Sequence, residues 1–157
     1  MAKPWKIPYF DTDEKLTVCL QKILRTRYHE TFSYEDGTIE GSDIEVLHSM
    51  RVSNRRLKAM MKIFRECFPK NKFESHYEHV RSLLRSLGQV RDCDVFISLL
   101  EEEKRSLSPH DQRAIDLLIA RQKQFRHQQQ RLLIQKLRSL RHQDYEQVFF
   151  QFLIKSL

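Results

Sequence analysis

The stretch HSMRVSNRRLKAMMK, residues 48–62, carries five cationic side chains and one histidine in fifteen positions. On a helical wheel of about 100° per residue, four of the cations fall within about 60° of one another, and the histidine lies at the edge of the same stripe. This stripe, the first basic line, consists of His48, Arg51, Arg55, Lys58 and Lys62. Val52, Leu57 and Met61 face the other way, so the stretch predicts an amphipathic helix with a line of cations about 21 Å long.

The rest of the chain shows the same helical periodicity, and no stretch alternates with the two-residue period of a strand. Pro4 and Pro8 oppose helix formation, so residues 1–11 are predicted to be an extended lead-in. Helices are predicted over residues 13–34, 42–67, 72–106, 109–141 and 144–157, with a turn at residues 35–42. We therefore predict an all-α fold, an up-down antiparallel bundle of four to five long helices, in one domain over residues 12–157.

Capping residues and glycines set the expected helix ends. Ser42 and Glu45 form a capping box, which predicts that the second helix begins directly after Ser42. Ser108, followed by Pro109 at the first helical position, predicts the start of the fourth helix. Gly88 interrupts the third helical pattern, so a kink or short break is expected there, with a positive φ or a close approach of another group.

The charge balance favours an anionic partner. The chain has 28 Lys and Arg residues against 21 Asp and Glu residues, a net charge of +7. Such an excess is typical of proteins that bind nucleic acid, anionic lipid or polyphosphate, and by itself it does not choose among them.

Cysteine usage and hydropathy predict a cytoplasmic protein. Cys19, Cys67 and Cys93 are widely spaced and odd in number, which is typical of reduced thiols rather than of a disulfide framework. The N-terminal residues lack the apolar core of a signal peptide, and no apolar run approaches the length of a membrane span.

A second basic line is predicted on the helix over residues 109–141. Its central members fall within about 40° of one another on the wheel. They are Arg113, His127, Arg131 and Arg138, of which Arg131 and Arg138 are candidate binding residues. In a bundle, the two basic lines are expected to border one groove and to hold a linear polyanion through charge-assisted contacts. The alternative interpretation is that each stripe is an ordinary solvated helix face.

Arg56 lies apart from the first basic line, on the apolar side of the wheel, where an unpaired charge is costly. We expect it to reach a buried or half-buried acid, and Asp92 and Asp94 in the stretch RDCD are the candidates. These three residues are therefore predicted to form a structural ion pair.

Two sequence blocks together resemble a known family. They are IEVLHSMRVSNRRLKAMMKIF, residues 44–64, and LLRSLGQVRDCDVF, residues 83–96. They are similar to the signature of the CHAD domain, the conserved histidine α-helical domain. The matching residues of the first block are His48, Arg51, Val52, Arg55, Arg56, Leu57 and Phe64, and Lys58 stands where the family usually has an arginine. The matching residues of the second block are Leu87, Gly88, Val90, Arg91, Asp92, Asp94 and Val95.

The resemblance implies a helical bundle that binds inorganic polyphosphate through basic residues lining a groove or pore, in proteins associated with polyphosphate granules. The residues it assigns to binding are His48, Arg51, Arg55, Lys58 and Arg91. The helical wheel adds Lys62, Arg131 and Arg138 as candidates.

The family usually has two similar helical bundles, and this sequence matches only the first half. The missing half predicts a homodimer, in which two chains rebuild the two-bundle unit. The apolar tail supports this prediction, with Phe149, Phe150, Phe152 and Leu153.

A binding module is favoured over two rival functions. A phosphotransferase or polyphosphatase would use His48, yet no carboxylate is visibly placed to orient it, and there is no Gly-rich phosphate loop or nucleophile elbow. A nucleic-acid binder would need aromatic side chains among the cations, and residues 48–62 contain none. We therefore predict a non-catalytic protein without cofactor or metal. His76 and His79 are expected to be surface histidines rather than metal ligands.

Overall fold

Helices make up most of the molecule. The structure, a computed structural model, describes residues 3–11 and 13–157. Its α-helices are α1 (Leu16–Phe32), α2 (Glu35–Glu40), α3 (Ile44–Ile63), α4 (Lys70–Lys104), α5 (Pro109–His142) and α6 (Tyr145–Ser156). A short 3-10 turn, Arg65–Cys67, lies between α3 and α4, and the described residues contain no strand. The predicted all-α class is confirmed.

The segment before α1 is not helical and is tied to α1 through its backbone. Lys22 donates to the carbonyl oxygen of Tyr9 at 2.5 Å, and Arg27 donates to that of Trp5 at 2.7 Å. Residues 1, 2 and 12, which the sequence analysis assigned to the lead-in and to the start of the bundle, lie outside the described residues.

The helices form an up-down antiparallel bundle, as predicted. Helix α1 packs against α3, α3 against α4, and α4 against α5, while α6 returns to pack against α1 and α5. Short connections between long helices favour this antiparallel arrangement. Only four residues, 105–108, connect α4 to α5, so α5 runs back along α4.

Two hydrophobic clusters fill the bundle. The one beside α6 contains Leu24, Tyr28, Leu57, Met61, Phe68, Phe73, Val80, Leu140, Tyr145, Phe149, Phe152 and Leu153. The one between α3, α4 and α5 contains Leu47, Met50, Leu83, Leu87, Val90, Leu133 and Leu137. Each fully buried leucine of this kind stabilises the fold by about 1.5–3 kcal/mol. Because Leu47 and Met50 are buried, the neighbouring His48 and Arg51 lie at the border of the second cluster.

One of the two predicted helix caps is confirmed and the other is wrong by one residue. The side chain of Ser108 accepts a hydrogen bond from the Asp111 amide at 3.3 Å, with Pro109 as the first residue of α5. At the start of α3 the cap is Asp43, whose carboxylate accepts from the Glu45 amide at 2.8 Å. An ionised carboxylate accepts this bond in place of the Ser42 hydroxyl.

The predicted turn at residues 35–42 is wrong for its first six residues, which form α2. Tertiary contacts hold this short helix, because Thr38 is fully buried and its carbonyl oxygen accepts from the Gln130 side chain at 2.8 Å. Gly41 ends the helix in the left-handed region, with φ of 70°, which glycine adopts without strain.

The predicted break at Gly88 is also wrong. Helix α4 continues through this position without interruption, and the only positive φ of a described glycine is at Gly41. Packing against α3 and α5 along its length outweighs the cost of about 1 kcal/mol that a glycine imposes on a helix interior.

The apolar C-terminal tail is part of the core. Phe149, Phe152 and Leu153 are buried in the cluster beside α6, and Phe150 packs against it. The apolar tail therefore no longer supports the predicted homodimer, which stays a prediction based on the family resemblance. No described helix, the apolar α6 included, has the length and hydropathy needed to cross a membrane.

Candidate functional site

The first basic line lies along the outer face of α3. His48, Arg51 and Lys58 are half-buried, and Arg55 and Lys62 are exposed. The opposite face of α3 is anchored in the core by side chains that are no more than 4% exposed, namely Leu47, Met50, Val52, Leu57 and Met61. The buried face fixes the rotation of the helix and so aligns the cations as the wheel predicts.

The cations of this line lack an acidic partner in the part of the chain that the structure describes. Among the described residues, no carboxylate oxygen lies within 4.0 Å of a side-chain nitrogen of Arg51, Arg55, Lys58 or Lys62. The next cation after the line, Arg65, is by contrast paired with Glu74 at 2.5 Å. Like charges at helical spacing repel one another by a few tenths of a kcal/mol per pair, so an external anion would relieve this repulsion.

Arg51 lies against the backbone of α4 at Gly88. A Cβ atom placed at Gly88 would be 3.7 Å from Nε of Arg51, so the absence of a side chain gives the guanidinium room beside α4. Nε of Arg51 is buried and has no hydrogen-bond partner among the described residues. The group nearest to Gly88 is thus an arginine of the basic line, at an ordinary contact distance that does not require a glycine.

His48 and Arg91 meet at the N-terminal end of the same line. The Arg91 side chain is 20% exposed and lies 3.5 Å from the carboxylate of Glu45. Burial, together with the positive charges of Arg91 and Arg51, lowers the pKa of His48 below its ordinary value, while Glu45 opposes that shift. The imidazole is therefore mostly neutral at neutral pH, and its buried Nδ1 has no hydrogen-bond partner among the described residues.

A further arginine that the sequence did not predict, Arg81 of α4, adjoins the line, where it is paired with Glu78 at 2.5 Å. Helices α3 and α4 are antiparallel, with Arg51 beside Gly88 at one level and Arg65 paired with Glu74 at another. Between these two contacts, each residue forward along α3 corresponds to one residue backward along α4. This register places Lys58 opposite Arg81. The signal was absent from the sequence, because this pairing depends on which positions of α3 and α4 stand side by side.

The structure does not bring the two basic lines together. Arg131 and Arg138 are exposed on α5, which contacts α4 through Ser82, Ser86 and Asp94. Those contact positions lie about 120°, 160° and 240° around α4 from Gly88, on the side away from Arg51. The expectation of one groove bordered by both lines is therefore not met by this chain, and binding roles for Arg131 and Arg138 stay predictions.

Arg56 has an acidic partner, although not the predicted one. Its guanidinium donates to the fully buried carboxylate of Glu30 at 2.8 Å, and Arg27 contacts the other oxygen of the same carboxylate. Asp92 and Asp94 were the wrong candidates, because the face of α3 that carries Arg56 packs against α1 rather than against α4. Two arginines on one buried carboxylate form a structural network, so Arg56 acts in the fold as the wheel suggested.

Asp94 serves the packing of α5 instead. Its side chain is 5% exposed and accepts from Nε of Arg126 at 2.6 Å. Asp92 is exposed, and no cation of the described residues lies within 4.0 Å of it. The two acids of the RDCD stretch therefore have different environments, although both match the family signature.

The arrangement provides cationic donors for a linear anion. Arginine gives forked hydrogen bonds to phosphate oxygens and lysine a compact charge, and both strengthen where water is partly excluded. Among the described residues, no group of three or more His, Cys, Asp and Glu side chains is arranged to hold a metal ion.

Comparison with known proteins gives one family match. The model of the CHAD domain matches residues 22–155, which include both sequence blocks, all of α2 to α5, and α6 except its last residue. No curated protein matches the chain.

Proposed function

Because the chain belongs to the CHAD domain family, we propose that it binds inorganic polyphosphate along the first basic line, without catalysing a reaction. The observation that carries the proposal is the absence of acidic partners from the cations of that line within the described residues. A polyanion that lies along the line would pair with its four cations at once.

Half-buried cations in the line, and Arg91 beside it, account for affinity beyond simple charge attraction. Arg51, Lys58 and Arg91 are partly shielded from solvent, where charge-assisted hydrogen bonds are stronger than on an open surface. Arg55 and Lys62, which are exposed, add long-range attraction that salt weakens. We expect affinity to rise with chain length until the anion spans the line of about 21 Å.

A non-catalytic role is favoured by the surroundings of His48. No carboxylate of the described residues lies within 4.0 Å of its ring to orient it as a base or nucleophile. Phosphoryl transfer also requires groups that stabilise the leaving phosphate and position the acceptor, for which neither metal-binding clusters nor a phosphate loop provides a candidate here.

The remaining proposals concern location. Cys19, Cys67 and Cys93 are free thiols, which supports the cytoplasm, and association with polyphosphate granules rests on the family resemblance.

The test is direct binding of polyphosphates of increasing length to the full chain and to the variant Arg51→Glu/Arg55→Glu. We expect the variant to lose affinity by at least about a hundredfold, because two charges of the line are reversed, which changes its net charge by about four units. Arg105→Glu/Arg113→Glu makes the same change of net charge at the far ends of α4 and α5, and only a small loss is expected there. Equal losses in the two variants would show that net charge alone attracts the anion.

Two further measurements separate the rival functions. Single-stranded DNA competing as well as polyphosphate at each salt concentration would favour a nucleic-acid binder. Release of phosphate from polyphosphate by the parent chain, lost in His48→Ala, would establish an enzyme in place of a binding protein.

A further inference from the structure

The far ends of α4 and α5 form an arm that carries large exposed apolar side chains. Helix α3 begins at Ile44 and meets α4 near Arg91, so the remainder of α4 extends past it and packs against α5. Four apolar side chains on this arm and Leu132 at its base, together called the arm strip, are 47–57% exposed: Phe96, Leu99, Leu118, Phe125 and Leu132.

The arm strip occupies one side of the two-helix arm. Leu118, Phe125 and Leu132 recur every seven residues and therefore share one face of α5 to within about 40°. Lys136 of α5 donates a hydrogen bond to Ser82 of α4. On their helical wheels, Lys136 lies about 20° from Phe125 and Ser82 lies about 40° from Phe96. The apolar faces of the two helices thus adjoin each other.

Phe96 and Phe125 lie at the same level, in the middle of the strip. Contacts on both sides of them set this level, with Lys104 paired to Asp116 and Asp94 paired to Arg126, each at 2.6 Å. A contiguous apolar surface containing two phenylalanines in mid-helix is typical of a protein–protein interface.

The charges along the strip follow an order that suits a second copy of this chain. From the tip of the arm to its base, the order is Glu103, Arg121, the Phe96–Phe125 pair, Asp92 and Arg85. Arg121 and Asp92 each stand about 6 Å from the pair, in opposite directions, because α4 and α5 are antiparallel. Glu103 and Arg85 stand about 10 Å and about 16 Å away, again on opposite sides.

In the second copy, a rotation of 180° about an axis through the phenylalanine pair and perpendicular to the helices reverses this order of charges. Arg121 then faces Asp92 of the second copy, and Glu103 approaches the level of Arg85. Arg121, Asp92 and Glu103 are exposed, and within the described part of the chain none has an opposite charge within 4.0 Å. A parallel arrangement would instead place equal charges together, which is unfavourable.

We propose that a second copy of the chain docks on the arm strip, antiparallel, so that two α4–α5 arms form a four-helix contact around Phe96 and Phe125. This contact buries the apolar side chains that the single chain exposes and pairs Arg121 with Asp92 of the second copy. The centre of the contact, Phe96 and Phe125, lies beyond the start of α3 at Ile44, whereas the first basic line runs along α3 from His48.

The first test is the molar mass of the full chain by sedimentation and light scattering, from about 1 µM to about 100 µM. We expect a dimer in the parent and a monomer in Phe96→Glu, which puts a charge at the centre of the contact. Leu16→Glu, at a 60% exposed leucine on α1, is the matched control and should remain dimeric. Circular dichroism confirms that each variant is folded.

The second test is a charge exchange. Asp92→Arg and Arg121→Asp should each weaken the dimer on the order of tenfold, and the double variant should recover most of that loss. A parent chain that is monomeric throughout the concentration range overturns the proposal, as does a dimer unaffected by Phe96→Glu. A double variant no better than the singles overturns the antiparallel arrangement.

Discussion

At the scale of single residues, Glu45 is an acid beside the N-terminal end of the proposed binding surface. It is exposed, it lies 3.5 Å from Arg91, and it opposes the lowering of the His48 pKa. A carboxylate in this position repels an approaching polyanion and engages a cation that the polyanion would otherwise contact. We therefore expect Glu45 to weaken the proposed binding of polyphosphate.

Replacing Glu45 with glutamine should tighten polyphosphate binding by roughly two- to fivefold at low salt, because an exposed ion pair of this kind is worth less than about 1 kcal/mol. Titration calorimetry at two salt concentrations measures the effect, which should shrink as salt rises. Glu102→Gln, at an exposed carboxylate near the end of α4, changes net charge equally and serves as the control. A gain of the same size in both variants would contradict a local role for Glu45.

Predictions about single residues agreed with the structure where they depended only on spacing within one helix. The outward line of His48, Arg51 and Lys58 follows from helical spacing within α3 alone. The partner of Arg56 depended on which helix packs against α3, and no spacing within a helix contains that information. Glu30 is an acid on the α1 face and became its partner through tertiary packing.

At the scale of secondary structure elements, two glycines inside helices have opposite surroundings. Gly88 in α4 has only Nε of Arg51 near the position of a Cβ atom, at an ordinary contact distance of 3.7 Å. A Cβ atom on Gly37 in α2 would instead lie 2.8 Å from Cγ1 of Val46, so either the Val46 side chain or one of the two helices would have to move.

Gly88→Ala should stabilise the fold by about 0.5–1 kcal/mol, because alanine restricts the unfolded chain and favours the helix. Thermal unfolding should shift upward by about 2–4 °C. Gly37→Ala should destabilise the chain by about 1–2 kcal/mol, because the added methyl group overpacks the contact between α2 and α3. Destabilisation by Gly88→Ala comparable to that of Gly37→Ala would contradict the open environment described for α4.

Helix ends were predictable where a side chain specified them, and helix continuity was not. Ser108 and Pro109 mark the start of α5 by local chemistry, which operates before any tertiary contact forms. Continuity through Gly88, and the helix that includes Gly37, depend on neighbours that compensate a propensity cost of about 1 kcal/mol. The local sequence therefore predicted an interruption at each of the two glycines, where the structure has a continuous helix.

At the scale of the whole molecule, His76 links the aromatic core to acid stability. The sequence predicted a surface histidine, whereas the ring is half-buried and stacks on Phe152 with centroids 4.3 Å apart. Its Nδ1 lies 3.0 Å from the hydroxyl of Tyr145. The bundle class was predictable from periodicity, but this closure of α6 onto α4 was not, because α6 carries aromatic residues on several faces.

Burial, with a smaller effect of His79, lowers the pKa of His76 from 6.5 to about 4. Between those two values the unfolded chain binds a proton at this residue and the folded chain does not. The stability that neutral His76 contributes is therefore fully present above pH 6.5 and is lost as the pH falls towards 4.

Replacing His76 with phenylalanine should remove this pH dependence while keeping the aromatic stack. Between about pH 7 and about pH 5, the free energy of unfolding of the parent should fall by about 1–2 kcal/mol more than that of His76→Phe, a value reduced from the full shift because the ring is only half-buried. Urea unfolding at both pH values measures the difference. His110→Gln, at a side chain 93% exposed, should behave as the parent does. If His76→Phe lost stability in acid as steeply as the parent, protonation of other groups, and not of His76, would limit the acid stability of the bundle.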